Sequence, residues 1–240
     1  MPFSPRRRFP LISLALGVTL VLAVAPVSAG ASVKNPTTKS VLQAAQKAMA
    51  KESGVHIYVT SKTGTVRSVV VVDIGATYGE EIITSGKSSV KIIVTPTDAY
   101  LSGSATGLTK IMGLTAAEQK KVGTLSVVMK AGSTPYTSFH SNLTTTVLAG
   151  ILPLAKGTKY KASSDSAKDY QLSWQTAASS TAAATKSVLT ISSGSKTLPI
   201  KEVITGTTGG GTTSFSKWGE HVVEVAPAVA STIAYAKVIG

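Results

Sequence analysis

The chain has 240 residues, a formal net charge of +13 and no cysteine, with 43% of its residues hydrophobic and only 5% aromatic. The missing cysteine excludes thiol catalysis, thiolate-held zinc, a disulfide framework and the Cys-based lipid attachment of exported bacterial proteins. The positive charge is spread out: beyond the N-terminal segment the one arginine is Arg67, and the lysines cluster no further than the pairs Lys120-Lys121 and Lys159/Lys161.

Arg6-Arg7-Arg8 followed by the apolar run Leu11 to Val24 and then Pro26 has the layout of a secretory signal peptide. Small residues offer cleavage after Ala29 or after Ala31, and the apolar run is shorter than the ~20 residues that a spanning helix needs. Retention of the segment as an uncleaved anchor is the competing reading. We expect residues 1–31 to be the signal and residues 32–240 to form a single domain.

Residues 37–53 read as a helix. Pro36 precedes it, Val41, Leu42, Ala45, Ala48 and Met49 share one face, and Gly54 stops it. Several strands follow, with turn signals at Gly64, Gly75, Gly86 and Pro96, a spacing that suits an antiparallel meander. Val66, Val70, Val72 and Ile74 fall on one face of the pleat, as do Val90, Ile92 and Val94, whereas Arg67, Asp73 and Lys91 fall on the other. Thr115 with Glu118 three residues on is a capping box that opens a short helix, and Leu125–Lys130 is a strand candidate. Tyr136 to Leu152 reads as one helix, with Tyr136, Phe139, Leu143, Val147, Leu148, Ile151 and Leu152 on its apolar face and Pro153 at its end.

Strands resume at "KDYQLSWQT", in the hairpin around Ser193-Gly194, and in "TTSFSKWGEHVVEVAP". The stretch "GTTGGGTT" is too glycine-rich for a strand interior and reads as a long turn, and "TAASSTAAAT" as a loop. Trp218-Gly219 reads as a bend in the last strand hairpin, with Trp218 plugging the sheet edge and Glu220 and His221 near the surface.

No catalytic constellation is readable. No serine has the flanking glycines of a nucleophile elbow, and His56, His140 and His221 fall on separate elements without the spacing of metal ligands. Glu80 and Glu81 are adjacent on a strand and point to opposite faces. Asp73, Asp98 and Asp165 have no identifiable partner, and Gly209-Gly210-Gly211 lacks the Lys-Ser/Thr of a phosphate loop. These observations argue against an enzyme, a metal or a cofactor. The scattered lysines without stacking aromatics argue against nucleic acid as a partner. Loose attraction to an anionic envelope surface accounts for the charge.

Two stretches carry a resemblance, "TPTDAYLSGSATGLTKIMGLTAAEQKKVGTLSVVMKAGSTPYTSFHSNLTTTVLAGIL" and "TSFSKWGEHVVEVAP". Tyr100 and Gly103 precede a short helical segment at Met112-Gly113-Leu114, followed by the strand Leu125–Lys130 and the apolar helix Tyr136–Leu152. Near the end stand Phe215, Ser216, Trp218, Gly219, Ala226 and Pro227. In these features the chain resembles the actinobacterial envelope lipoproteins of the LppX/LprG type, related in fold to the periplasmic lipoprotein carrier LolA. The resemblance spans residues 37–227. It implies an α+β fold, a curved antiparallel sheet forming an unclosed β-barrel whose concave face is covered by a few helices, with an apolar cavity between them. It also implies an acylated lipid or glycolipid as partner, carried by a protein taken here to be a monomer. Two departures stand out: the anchoring cysteine is absent, and Trp174-Gln175 lead into an Ala/Ser/Thr-rich loop.

The apolar faces supply the candidate cavity walls: Val70, Val72, Ile92, Val94, Met112, Met129, Leu143, Val147, Ile151, Leu172 and Leu189. The helix Tyr136–Leu152 would be the movable cover. The competing reading keeps the same faces as a filled core, in a non-enzymatic secreted interaction module whose basic surface binds envelope polymers or a protein partner.

Overall fold

The computed structural model describes residues 37–152, 161–164, 169–177 and 184–240. The signal segment, Pro153, Lys159, Asp165 and most of the Ala/Ser/Thr-rich stretch lie outside the described residues. Helix α1 (Thr38–Met49) opens with a capping box between Thr37 and Ser40 and buries Val41, Leu42, Ala45 and Met49. The meander follows: β1 (Gly54–Thr63), β2 (Val66–Gly75), β3 (Gly79–Ser85), β4 (Ser88–Val94) and β5 (Asp98–Gly103). Gly64 and Gly86 take positive φ at the tight turns, a conformation that costs glycine nothing.

Helix α2 (Ala105–Met112) starts on Ser104 and ends on a left-handed Gly113; α3 (Ala116–Val122) starts on the Thr115/Glu118 capping box. Then come β6 (Ser126–Lys130) and α4 (Thr134–Leu143), which is capped by Ser133 and has Pro135 in its first turn. The second half of the sheet comprises β7 (Lys161–Ser164), β8 (Tyr170–Thr176), β9 (Thr185–Ile191), β10 (Pro199–Gly206) and β11 (Gly209–Ser216). A short β12 (Thr232–Ala234) and α5 (Tyr235–Ile239) end the chain.

The strands form one sheet in the order β12-β6-β5-β4-β3-β2-β1-β11-β10-β9-β8-β7. All neighbours are antiparallel except β12, which lies parallel to β6. The two ends, β12 and β7, do not pair with each other, so the curved sheet is unclosed. The architecture is α+β, with α4 laid across the inner face over β2 to β6. Among the described residues no helix is long and apolar enough to cross a membrane.

Three expectations need correction. The helix expected over Tyr136–Leu152 is broken at Thr144, whose backbone is extended (φ −120°, ψ 165°) and bridges to Gly75; a 3-10 turn, Thr145–Gly150, follows. The β-branched run Thr144-Thr145-Thr146-Val147 disfavours helix, and the Thr144 hydroxyl donates to the His140 carbonyl at 2.8 Å. The glycine run is strand, not turn: Gly209, Gly210 and Gly211 pair with β1, and Gly210 and Gly211 pair with β10 as well. A β carbon at Gly210 would lie 2.6 Å from the Ile204 carbonyl oxygen and one at Gly211 2.7 Å from that of Thr60, so close backbone approach from both sides selects glycine.

Finally, the residues after Trp218 do not return as a hairpin. Residues 221–228 leave the sheet, and the last strand is β12 at the far edge. Strand β11 is therefore central, between β1 and β10, and Trp218 does not plug an edge.

Candidate functional site

The inner face can be read as three rows of side chains running across the strands, each set by register and the two-residue period of a pleat. One row is Val55, Ile74, Gly79, Val94, Ala99 and Met129. The next is Phe215, Ile57, Val72, Glu81, Ile92, Leu101 and Val127. The third is Leu172, Leu189, Glu202, Thr213, Val59, Val70, Ile83 and Val90.

Coverage of the rows is unequal. The end of α4 seats on the first, where Gly79 leaves room for Leu143. Gly107 of α2 seats against Val90, whose Cγ2 would lie 2.5 Å from a β carbon there. Between these contacts Val59, Val70 and Ile83 pack against the core yet stay half-buried, as does Val147 on the 3-10 turn.

All eleven expected wall residues belong to, or pack against, one continuous apolar cluster. Val72, Ile92, Val94, Met112, Met129, Leu143, Ile151, Leu172 and Leu189 are buried, whereas Val70 and Val147 are half-buried at its margin. Tertiary folding thus brings β2, β4, β6, β8, β9, α2, α4 and the 3-10 turn to one apolar face, and Val70 and Val147 are the members that remain accessible.

Two carboxyls interrupt these rows, and the sequence reading did not place them there. Glu81 is 7% exposed and Glu202 is 6% exposed. Burial pushes the Glu81 carboxyl up to about 7. Burial also raises that of Glu202, partly offset by a hydrogen bond with Ser187. The signal of Glu81 in the sequence was weak because Ile82 and Ile83 are adjacent, so the pleat of β3 has an apolar residue on either face.

The outer face is polar. His56 Nδ1 lies 2.7 Å from Asp73 Oδ1, and Lys91 Nζ lies 2.6 Å from Glu80 Oε2. The segment after Trp218 crosses this region: Val222 sits against Gly54 and Gly75, and Glu224 reaches Glu80. Burial, then the charge of Glu80, raise the Glu224 carboxyl to about 7. His140 lies on α4 against Tyr136, with ring centroids 5.2 Å apart, and His221 is exposed. Among the described residues no three His, Asp or Glu side chains form a metal-binding group.

Trp218 has a structural setting. Its ring lies 6.2 Å from that of Phe215, and its Nε1 donates to the Pro199 carbonyl at 2.9 Å. The turn itself uses positive φ at Lys217 and Gly219, and the Gly219 N–H donates to the Gly54 carbonyl at 2.9 Å. A shallow open pocket of about 340 Å³ adjoins it, lined by Leu198, Ile200, Phe215 and Trp218 with Lys196 at its rim.

No protein-family model matches the chain, and no curated protein matches it. Among solved structures it is similar to the lipoprotein LppX of Mycobacterium tuberculosis, at 14% identity and a TM-score of 0.45, over 78% of this chain and 99% of that one. It is also similar to LprF of Mycobacterium bovis, at 12% identity and a TM-score of 0.43, over 79% of this chain and 96% of that one.

Proposed function

We propose that the protein binds and carries a hydrophobic ligand, an acylated lipid or glycolipid, on the inner face of its sheet. The observation that supports this most directly is the half-covered stripe Val59, Val70, Ile83, continuous with Val90. It crosses four strands, a span of about 14 Å at the usual strand spacing. Water is displaced from such a stripe with a gain of roughly 25 cal/mol per Å² of apolar surface. A chain of about 15 methylenes gains on the order of 12 kcal/mol gross, part of which is lost in ordering ligand and protein, leaving reversible carriage.

In this reading Val70 and Val147 meet the ligand first, and the buried candidates from Val72 to Leu189 become walls as α4 and the 3-10 turn lift. The activity is non-enzymatic and needs no cofactor. The N-terminal Arg6-Arg7-Arg8 and apolar run support export to the envelope or beyond, where lysines at the rim would meet anionic headgroups.

Native mass spectrometry of protein purified gently from its own host, followed by organic extraction, tests the proposal. A discrete added mass that extracts as an acyl lipid supports it. A bare protein mass that persists after incubation with envelope lipids sinks it in favour of the filled-core interaction module.

A further inference from the structure

Five acidic residues are buried among the described residues: Glu52, Glu81, Asp98, Glu118 and Glu202. Four have partners. Glu52 pairs with Lys196 Nζ at 2.8 Å, Asp98 with Lys130 Nζ at 2.7 Å, and Glu118 accepts from Thr115 at the start of α3. Glu202 has Ser187. Glu81 has neither a hydrogen bond nor an ion pair among the described residues.

Its cross-strand neighbours on the same face are Val72 and Ile92, both fully buried. An apolar side chain at this position would satisfy every local requirement, because buried polar groups are nearly always partnered and an unpartnered one is destabilising. Among the described residues the one sealed side-chain oxygen without a hydrogen bond is Oδ1 of Asp98, which instead faces Lys130, so the Glu81 oxygens are not sealed in. On the pleat Glu81 is two residues from Ile83, and it therefore borders the half-covered stripe.

A carboxyl held in apolar surroundings is neutral over much of the accessible pH range, and a neutral carboxyl both donates and accepts. A hydroxyl group is its complement, since it too donates and accepts. A plain hydrocarbon chain leaves the carboxyl unpartnered.

Resting on the lipid reading above, we propose that Glu81 recognises a hydroxyl borne on the hydrocarbon part of the ligand, so that the protein selects hydroxylated acyl chains over plain ones. Selection arises because a site built to hydrogen-bond a hydroxyl loses that bond with the analogue lacking it.

The test titrates the full chain with oleate and with ricinoleate, its hydroxylated counterpart, by calorimetry. Wild type should bind ricinoleate about tenfold more tightly, the worth of one well-made buried hydrogen bond. Glu81→Leu should lose that preference while holding oleate at least as well as wild type, and Glu81→Gln, which still hydrogen-bonds, should retain most of it. Should the leucine variant not fold, Glu81→Met takes its place. Equal affinity of wild type for the two acids, or a preference that survives Glu81→Leu, overturns the assignment and leaves the lipid reading standing. Binding of neither acid overturns both.

Discussion

Gly79 of β3 receives Leu143 of α4 so closely that a β carbon at Gly79 would overlap the Leu143 carbonyl oxygen and come within 2.8 Å of its β carbon. This contact fixes where α4 ends on the sheet, one row away from Glu81. Gly79→Ala should therefore push α4 outward and destabilise the fold by about 1–3 kcal/mol, as overpacking does. Gly194→Ala is the control. It meets only Ser192 Oγ at 3.3 Å and should stay within about 0.5 kcal/mol of wild type. Urea unfolding of the two variants measures the difference, and equal midpoints would remove Gly79 as the seat of the helix.

Glu81 makes the stability depend on pH. Burial raises its carboxyl in the fold from 4.5 to about 7, so the folded chain holds a proton that the unfolded chain has released. The associated stability is fully present below pH 4.5 and is lost as pH rises through about 7. The ceiling is about 3 kcal/mol for a shift of this size. Glu224, raised to about 7 by burial and by Glu80, acts in the same direction on the outer face. Denaturation midpoints from pH 4 to 8 should fall for wild type and fall less for Glu81→Gln. A variant curve parallel to wild type would show that Glu81 ionises no differently in the fold.

The same carboxyl predicts a stabilised variant. Glu81 has no partner among the described residues, and replacing such a buried acid by a hydrocarbon of similar size removes a desolvation penalty, so Glu81→Leu should gain about 1–3 kcal/mol near neutral pH. Glu52→Leu should gain nothing and lose up to about 1 kcal/mol, because it removes the carboxylate 2.8 Å from Lys196, a cation that is itself 60% exposed. Thermal melts of both variants at neutral pH separate the cases. A destabilised Glu81→Leu would mean that the carboxyl supports the fold.

Val147 and Leu148 are neighbours with opposite roles. Val147 is half-buried on the 3-10 turn at the margin of the apolar cluster, whereas Leu148 is wholly enclosed. Val147→Asp should leave the fold intact and reduce co-purifying lipid several-fold. Leu148→Asp places an unpaired charge in the core and should unfold the protein outright. Circular dichroism with lipid extraction reads both outcomes, and unchanged lipid content in Val147→Asp would count against the 3-10 turn as part of the cover.

The Trp218 turn should behave as structure. Trp218→Phe keeps the contact with Phe215 but loses the 2.9 Å bond to the Pro199 carbonyl, a cost of about 1 kcal/mol. Gly219→Ala should cost more, since Gly219 has φ 82° and its β carbon would meet Glu52 Oε2 at 2.7 Å. Lipid content should not change in either variant; a loss of lipid at unchanged stability would give this turn a part in binding.

The sequence by itself determined the local elements and the apolar faces. The capping box at Thr115 followed from local hydrogen bonding, and the alternation of Val70, Val72 and Ile74 or of Val90, Ile92 and Val94 from a period of two, which needs no partner to be read. Only the tertiary structure decided the rest, because it depended on distant neighbours. Gly210 and Gly211 are strand because β1 and β10 close on them from both sides. The β-branched run ends the helix locally, but where that break seats is set by the bridge from Thr144 to Gly75, and the residues after Trp218 cross the outer face on the way to β12, which pairs with β6. Glu81 shows the limit most sharply. Its identity was plain in the sequence, but register alone placed it between Val72 and Ile92, facing inward without a partner among the described residues.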